Sequence, residues 1–313
     1  MDNVLARRVT RRRAQQLALP LAALLAGWRP GGALAQATPQ PVSQATHDAF
    51  LIDVAAAQQH EGGARFRPLA LAGDVTPAEG VIPGSALVDW HELELLDSVD
   101  DAAVTGWADN MSALFARLGL DQDADIVIYD DGSLFAPRAW WVLCLLGYDE
   151  AVVLDGGFIA WRQAGGALEP GPAGAKVATA PPPAAARRWE MLARQPEVLA
   201  HLHDPDWALV DARTPEEYER GHIPGAVNIN YLENVTGDAP ARWRAPEELR
   251  ALYAAAGVTP DKHIVPYCAT GARSALTDFT LRWLGYPSVS LYSASWQEWS
   301  ALPDSPTAKG PNP

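Results

Sequence analysis

The residue best suited to chemistry in this sequence is Cys268, which follows the apolar run HIVPY and precedes a small-residue loop and Arg273. The run predicts a buried strand, and the segment from Arg273 onward predicts a helix. A thiol at this junction lies near loop N–H groups, the positive end of a helix dipole and a guanidinium, which all favour the thiolate. The sequence therefore predicts a cysteine nucleophile. A buried structural cysteine is the alternative, and the loop and arginine that follow disfavour it.

The other cysteine has different surroundings. Cys144 lies in the apolar helical run AWWVLCLLG, where a small buried side chain is the preferred interpretation. With only two cysteines, the chain is not a small disulfide framework, and its core must stabilise it.

Short β-branched runs alternate with helical segments around Cys268. In the second half of the chain, WALVD, AVNI, KHIVPY and SVSLY predict strands, and TPEEYERG predicts a short helix that Thr214 caps. This alternation is typical of an α/β fold with an open parallel sheet. Ligands of such sheets bind at the carboxyl ends of strands, which is the predicted position of Cys268.

The chain contains an internal duplication. Residues 123–161 align with residues 261–299 at a constant offset of 138, which matches Tyr129 with Tyr267 and places Asp130 at the position of Cys268. Upstream, FLIDV at residue 50 resembles ALVDA at residue 208. The first copy therefore lacks a cysteine nucleophile, and we expect it not to be catalytic.

The duplication and the composition together predict the domain boundaries. We expect a signal peptide over 1–35, a first domain over 44–170, a Pro, Ala and Gly-rich linker over 171–188, a catalytic domain over 189–302 and a loose tail over 303–313.

The N-terminus predicts export. Its basic head, short apolar middle and ALA at 33–35 are typical of a secretory signal, and TRRRAQQLAL resembles a twin-arginine signal. We therefore expect a periplasmic or secreted protein with no membrane association after cleavage. Without residues 1–35 the chain has 18 Lys and Arg against 37 Asp and Glu, so nucleic acid is not an expected partner.

The duplicated unit, the segment DARTPEEYERGHIPGAVNI, the loop YCATGARS and the closing SWQEW resemble the rhodanese superfamily of tandem-domain sulfurtransferases. The resemblance covers essentially the whole chain after the signal. It implies two rhodanese-like domains, each an open parallel sheet with helices on both faces, of which the first is non-catalytic. It also implies that Cys268 takes sulfur from a small anionic donor, holds it as a persulfide and yields it to a thiophilic acceptor.

The family's active-site loop has the pattern Cys-x-x-Gly-x-Arg/Thr, which this chain matches. The loop residues expected around the sulfur are Ala269, Thr270, Gly271, Ala272 and Ser274. Backbone N–H groups of such a loop can converge on a sulfur anion, and small side chains allow that approach.

Two arginines are expected to bind the substrate. Arg273 would stabilise an anionic donor or the sulfite that leaves it. Arg213 falls where the family has an arginine that faces the site, so the resemblance implies a substrate-binding role. An arginine paired with a nearby acid such as Glu217 is the alternative for Arg213.

The donor and the reaction class have alternatives. Arg273 favours thiosulfate, a dianion, over 3-mercaptopyruvate. A persulfide carrier or sensing module, which passes sulfur to a protein acceptor, would use the same thiolate. A cysteine phosphatase is disfavoured, because phosphatase loops have five residues between Cys and Arg and this chain has four. No cofactor or metal motif is present in the sequence.

Overall fold

The computed structural model describes residues 50–72, 80–132, 134–171 and 178–313. The expected signal peptide over 1–35 lies outside these ranges. None of the helices within them combines the length and the apolar character that crossing a membrane requires.

The first half of the chain forms one parallel sheet of five strands in the order β1-β5-β4-β2-β3. The strands are β1 (Leu51–Ile52), β2 (Phe66–Ala72), β3 (Ala86–Asp89), β4 (Asp125–Asp130) and β5 (Ala151–Leu154). The helices are α1 (Val54–Gln58), α2 (Asp101–Arg117), α3 (Ala136–Leu145) and α4 (Gly157–Gln163), with a 3-10 helix over Trp90–Leu93.

The second half repeats this architecture. Its strands are β6 (Leu192–Ala193), β7 (Trp207–Asp211), β8 (Val227–Asn228), β9 (His263–Tyr267) and β10 (Leu291–Tyr292). Its helices are α5 (Gln195–Ala200), α6 (Pro215–Arg220), α7 (Pro246–Ala255), α8 (Ala272–Trp283) and α9 (Ser295–Ala301). Short 3-10 helices cover Ala184–Ala186, Trp189–Met191 and Tyr231–Asn234.

The strand order shows the duplication directly. Strands β8, β7 and β9 pair in that order, β10 pairs with β6, and a parallel bridge between Ile264 and Val289 joins the two groups. Strands β6 to β10 therefore occupy the places of β1 to β5, and the predicted α/β fold with parallel strands is confirmed.

One expected match within the duplication is wrong. The run FLIDV contains β1, which is an edge strand beside β5, whereas ALVDA contains β7, which lies between β8 and β9. The counterpart of β1 is β6. Short apolar strands look alike in sequence, and only the crossover connections decide which place in the sheet each one takes.

Each sheet is covered on both faces, and one face of each belongs to a shared core. Ile126 and Ile128 of β4 join a cluster that also contains Ile264 of β9, whereas Val127 of β4 and Val265 of β9 belong to two separate clusters on the opposite faces. Helices α3 and α8 pack against each other in the shared core. The contact between the two halves is therefore continuous with their hydrophobic interiors.

The C-terminal tail is not loose, contrary to expectation. The N–H of Ala308 donates to the carbonyl of His222 at 2.9 Å, and the carbonyl of Ala308 accepts from the N–H of His222 at 3.0 Å. The indole of Trp299 donates to the carbonyl of Pro306 at 2.8 Å, and the N–H of Gly310 donates to the carbonyl of Glu219 at 2.9 Å. Polar, Pro-rich composition predicted mobility, but backbone pairing with α6 and its following loop holds the tail.

Candidate active site

Cys268 lies at the carboxyl end of β9, where the chain turns into α8. Its side chain is buried, and the N–H of Gly271 donates to Sγ at a distance of 3.2 Å. One backbone donor of the loop therefore points at the sulfur. Ala269 and Thr270 are partly exposed, while Ala272 is buried at the first turn of α8.

Gly271 is required by both conformation and space. Its φ is +92°, in the left-handed region that favours glycine. A Cβ atom at this position would lie 2.5 Å from the carbonyl oxygen of Ser293. The backbone of Ser293 therefore packs directly against the residue that donates to the sulfur.

The first turn of α9 supports the loop from the other side. The N–H of Cys268 donates to Oγ of Ser295 at 3.1 Å, and this hydroxyl donates to the carbonyl of Tyr292 at 2.8 Å. The N–H groups of Trp296 and Gln297 donate to the carbonyls of Cys268 and Ala269 at 3.1 and 3.0 Å. Ser295 was not predicted as a site residue, because its partner lies 27 residues away in the chain.

Arg273 faces the carboxylate of Glu217 instead of open space. Its Nη1 lies 2.7 Å from Oε2 and its Nη2 lies 2.9 Å from Oε1, a two-point ion pair between α8 and α6. Hydrogen bonds from Arg273 are the main cause that lowers the pKa of Glu217 to about 2. Thr214 caps α6 as predicted, and Glu217 completes a capping box with it.

The guanidinium of Arg213 also binds groups of the protein itself. It is buried, its Nε and Nη2 donate to the carboxylate of Asp211, and Nη2 also donates to the carbonyl of Gly221 at 2.7 Å. Its guanidinium lies 4.7 Å from the ring centre of Trp296. The structure therefore gives Arg213 a structural position and not an open substrate contact. The acid it pairs with is Asp211 and not Glu217.

Ser274 is buried on α8, and its hydroxyl has no hydrogen-bond partner among the described residues. It lies one residue beyond Arg273, within the first turn of α8. No group of three or more His, Cys, Asp and Glu side chains with metal-binding geometry occurs in the described part of the chain.

The first domain contributes an arginine to the neighbourhood of Cys268. Arg138, on α3, is fully buried, and its Nη1 donates to Oγ of Ser293 at 2.9 Å. Its charge interacts with Cys268. The sequence does not single out Arg138, since it lies in the half without a cysteine loop and 130 positions before Cys268; its one signal is a charged residue within the apolar run APRAWWVL.

In the first domain the position equivalent to Cys268 is Asp130, whose carboxylate binds the N–H groups of its own loop. The carboxylate of Asp130 accepts the N–H groups of Gly132 and Ala136, both at 2.8 Å. Burial raises the pKa of Asp130. In this domain two loop N–H groups donate to a carboxylate, whereas in the second domain the N–H of Gly271 donates to a sulfur, which supports the expectation that the first domain is non-catalytic.

Comparisons with known proteins agree with this geometry. The family model for the rhodanese-like domain matches residues 38–164 and 194–302. The sulfur carrier protein TtuD of Thermus thermophilus is 32% identical over 289 residues, covering 84% of this chain and 98% of that protein. Thiosulfate sulfurtransferase of Azotobacter vinelandii is 35% identical over 241 residues, covering 73% of this chain and 86% of that protein.

A solved structure extends the comparison. The crystal structure of SseA from Escherichia coli, described as a 3-mercaptopyruvate sulfotransferase with the rhodanese fold, has a TM-score of 0.68 and 27% identity. It covers 80% of this chain, and this chain covers all of it. The protein therefore belongs to the rhodanese-like family. With two such domains and one cysteine loop, it is a tandem-domain sulfurtransferase of the rhodanese superfamily.

Proposed function

We propose that the protein moves sulfane sulfur from thiosulfate to a thiophilic acceptor through a persulfide on Cys268. The observation that carries the proposal is the hydrogen bond from the N–H of Gly271 to Sγ of Cys268, within a loop whose arginine lies on the next helix. This loop gives a sulfur anion a backbone donor in a site shielded from solvent.

The transfer has two steps that balance without an oxidant or reductant. In the first, the Cys268 thiolate attacks the outer sulfur of thiosulfate, a new S–S bond forms, and sulfite leaves with the electron pair of the old bond. In the second, cyanide or a thiolate attacks the outer sulfur of the persulfide, and Cys268 leaves as a thiolate. One cysteine serves both steps, so the mechanism is ping-pong.

Two observations bear on the donor. The relative from Azotobacter vinelandii is named for thiosulfate, and Arg273 supplies a guanidinium on the first turn of α8, directly after the cysteine loop. The second candidate donor, 3-mercaptopyruvate, is supported by the relative from Escherichia coli and by the Arg273–Glu217 pair, which reduces the positive charge available to a dianion.

A carrier role is the second candidate function. TtuD, which matches over most of both chains, is named as a sulfur carrier. A carrier would use the same persulfide but deliver it to a protein acceptor, with little turnover on small acceptors.

The deciding experiment is steady-state thiocyanate formation from cyanide, with thiosulfate and with 3-mercaptopyruvate in separate assays. We expect turnover with thiosulfate that Cys268→Ser abolishes and Cys144→Ser retains. Better turnover with 3-mercaptopyruvate would identify that compound, and not thiosulfate, as the donor. Absence of turnover with both, together with uptake of one sulfur atom per Cys268, would support the carrier.

We also propose that the protein is exported to the periplasm, on the strength of the N-terminal sequence pattern over 1–35. Cell fractionation of the full chain and of an Arg11→Lys, Arg12→Lys variant tests this. We expect loss of export in the variant, and wild-type protein found only in the cytoplasm would contradict the proposal.

A further inference from the structure

Arg138 of the first domain is a buried cation, and no carboxylate of the described residues forms a hydrogen bond or ion pair with it. Its side chain is fully buried, its Nη2 donates to the carbonyl of Leu93 at 2.5 Å, and its Nη1 donates to the hydroxyl of Ser293 at 2.9 Å. Its Nε has no partner among the described residues. Both acceptors are neutral, and the guanidinium also lies 5.0 Å from the ring centre of Trp141, so none of these contacts supplies a negative charge.

A buried charge of this kind is costly unless an anion lies close to it. Burial is the main cause that lowers the pKa of Arg138 to about 10. The negative charges of Cys268 and Glu94 act in the opposite direction. Arg138 therefore remains protonated at neutral pH, and the thiolate of Cys268 is one of the anions that can compensate it.

Arg138 is also linked to the cysteine loop through one residue, Ser293. Ser293, which accepts from Arg138, has its carbonyl against Gly271, and Gly271 donates to Sγ of Cys268. Two residues further on, Ser295 accepts the N–H of Cys268. The guanidinium thus contacts the segment that holds the loop, on the side that faces the first domain.

We propose that Arg138 stabilises the anionic sulfur of Cys268 across the domain interface, as a thiolate and, on the proposed function, as a persulfide. Arg138 is a positioning and electrostatic residue, since it contacts the site through Ser293. The first domain, which has no cysteine nucleophile of its own, then has a role beyond packing, because it supplies a cation that stabilises Cys268 of the second domain.

Three groups share the electrostatic surroundings of Cys268. They are Arg138 from α3, Arg273 from α8 and Tyr231 from the 3-10 helix after β8. Arg273 is already paired with Glu217, and Tyr231 has a pKa raised mainly by burial. Arg138 is therefore the cation at this site whose charge no carboxylate shares by a hydrogen bond, within the described ranges.

The test is the pH dependence of alkylation of Cys268 by iodoacetamide, measured in a Cys144→Ser background so that one thiol reacts. Arg138→Gln keeps amide donors for Ser293 and Leu93 but removes the charge, and Arg138→Lys keeps the charge. Each variant is compared with itself across pH 5 to 9. Limited access of iodoacetamide to the buried sulfur lowers the rate at every pH and therefore does not change the midpoint of the pH profile.

We expect Arg138→Gln to alkylate about tenfold more slowly at pH 7, with its midpoint about one pH unit higher, which corresponds to about 1.4 kcal/mol of lost charge interaction. Arg138→Lys should stay within about twofold of the parent protein. Arg65→Gln, whose exposed guanidinium pairs with Asp125, is the matched control and should not change the profile.

A parental pH profile in Arg138→Gln, or an equal loss in Arg138→Lys and Arg138→Gln, would overturn the proposal. If Arg138→Gln does not fold, as shown by thermal unfolding, Arg138→Met replaces it as the neutral variant with the same expectation. Alkylation needs no sulfur donor, so this result is independent of the proposed function; a wild type that forms no persulfide from any donor would refute that function alone.

Discussion

Glu217 and Arg273 form a two-point ion pair, with N–O distances of 2.7 and 2.9 Å, beside the loop that holds Cys268. The pair joins the start of α6 to the first turn of α8. It fixes the orientation of the loop arginine, and at the same time it competes with any anionic donor for the same guanidinium.

Glu217→Gln should therefore strengthen the binding of thiosulfate. Removing the carboxylate leaves the full charge of Arg273 for the dianion, and we expect KM for thiosulfate to fall about fivefold, as for about 1 kcal/mol of partly screened charge interaction. Steady-state kinetics with varied thiosulfate measures this. Glu219→Gln, an exposed acid on the same helix, is the control. An unchanged or higher KM in Glu217→Gln would show that Arg273 does not bind the donor.

The same pair predicts a pH dependence of stability. The pKa of Glu217 is lowered to about 2 in the folded protein, below its ordinary value of 4.5, chiefly by the hydrogen bonds from Arg273. Its contribution is therefore complete above pH 4.5 and is lost as the pH falls towards 2. The Tm difference between wild type and Glu217→Gln should be constant from pH 5 to 8 and should shrink below pH 4.5. A difference that grows on acidification would contradict this sign.

Gly271→Ala should damage both the fold and the reaction. The new methyl group would meet the carbonyl of Ser293 at 2.5 Å, and the backbone φ of +92° is strained for alanine. We expect a loss of stability of about 2 kcal/mol or more and a fall in sulfur transfer of at least about tenfold.

The control for this variant is Gly257→Ala, at the C-terminal end of α7. Gly257 also has a positive φ, of +74°, but no atom lies within 4 Å of the position of a new Cβ. It should cost only about 1 kcal/mol of backbone strain and leave turnover unchanged. Chemical denaturation and thiocyanate formation on both variants make the comparison. Equal losses in the two variants would mean that the contact with Ser293 is unimportant.

The C-terminal tail should contribute to stability. Ala308→Pro removes the N–H that donates to the carbonyl of His222, and that residue is buried. We expect a loss of about 1 kcal/mol, or a Tm lower by about 2 to 4 °C, with turnover retained at 25 °C. Lys309→Ala is the control, and thermal unfolding is the measurement. An unchanged Tm in Ala308→Pro would support the loose tail that the composition predicts.

Much of the second domain could be predicted from residues that lie close together in the chain. Thr214 and Glu217 are spaced as a capping box, Gly271 follows Cys268 at loop spacing, and the constant offset of 138 reveals the duplication. These features depend on contacts over three or four residues or on repetition, so the linear pattern records them. The same local reasoning matched β1 with β7 incorrectly, because a short apolar strand carries no information on its neighbours in the sheet.

The α/β class, the repeat and the candidate nucleophile Cys268 follow from the sequence alone, since hydrophobic period, turn residues and a cysteine loop are local properties. The groups that surround Cys268 depend on the tertiary structure. Glu217 meets Arg273 across 56 residues, Ser295 meets Cys268 across 27, and Arg138 reaches Ser293 from the other domain across 155. Such partners depend on how α3 packs against α8 and on which strands cross over. Packing therefore determines whether the guanidinium of each arginine is paired with a carboxylate of the protein. The place of the arginine in a motif does not determine this.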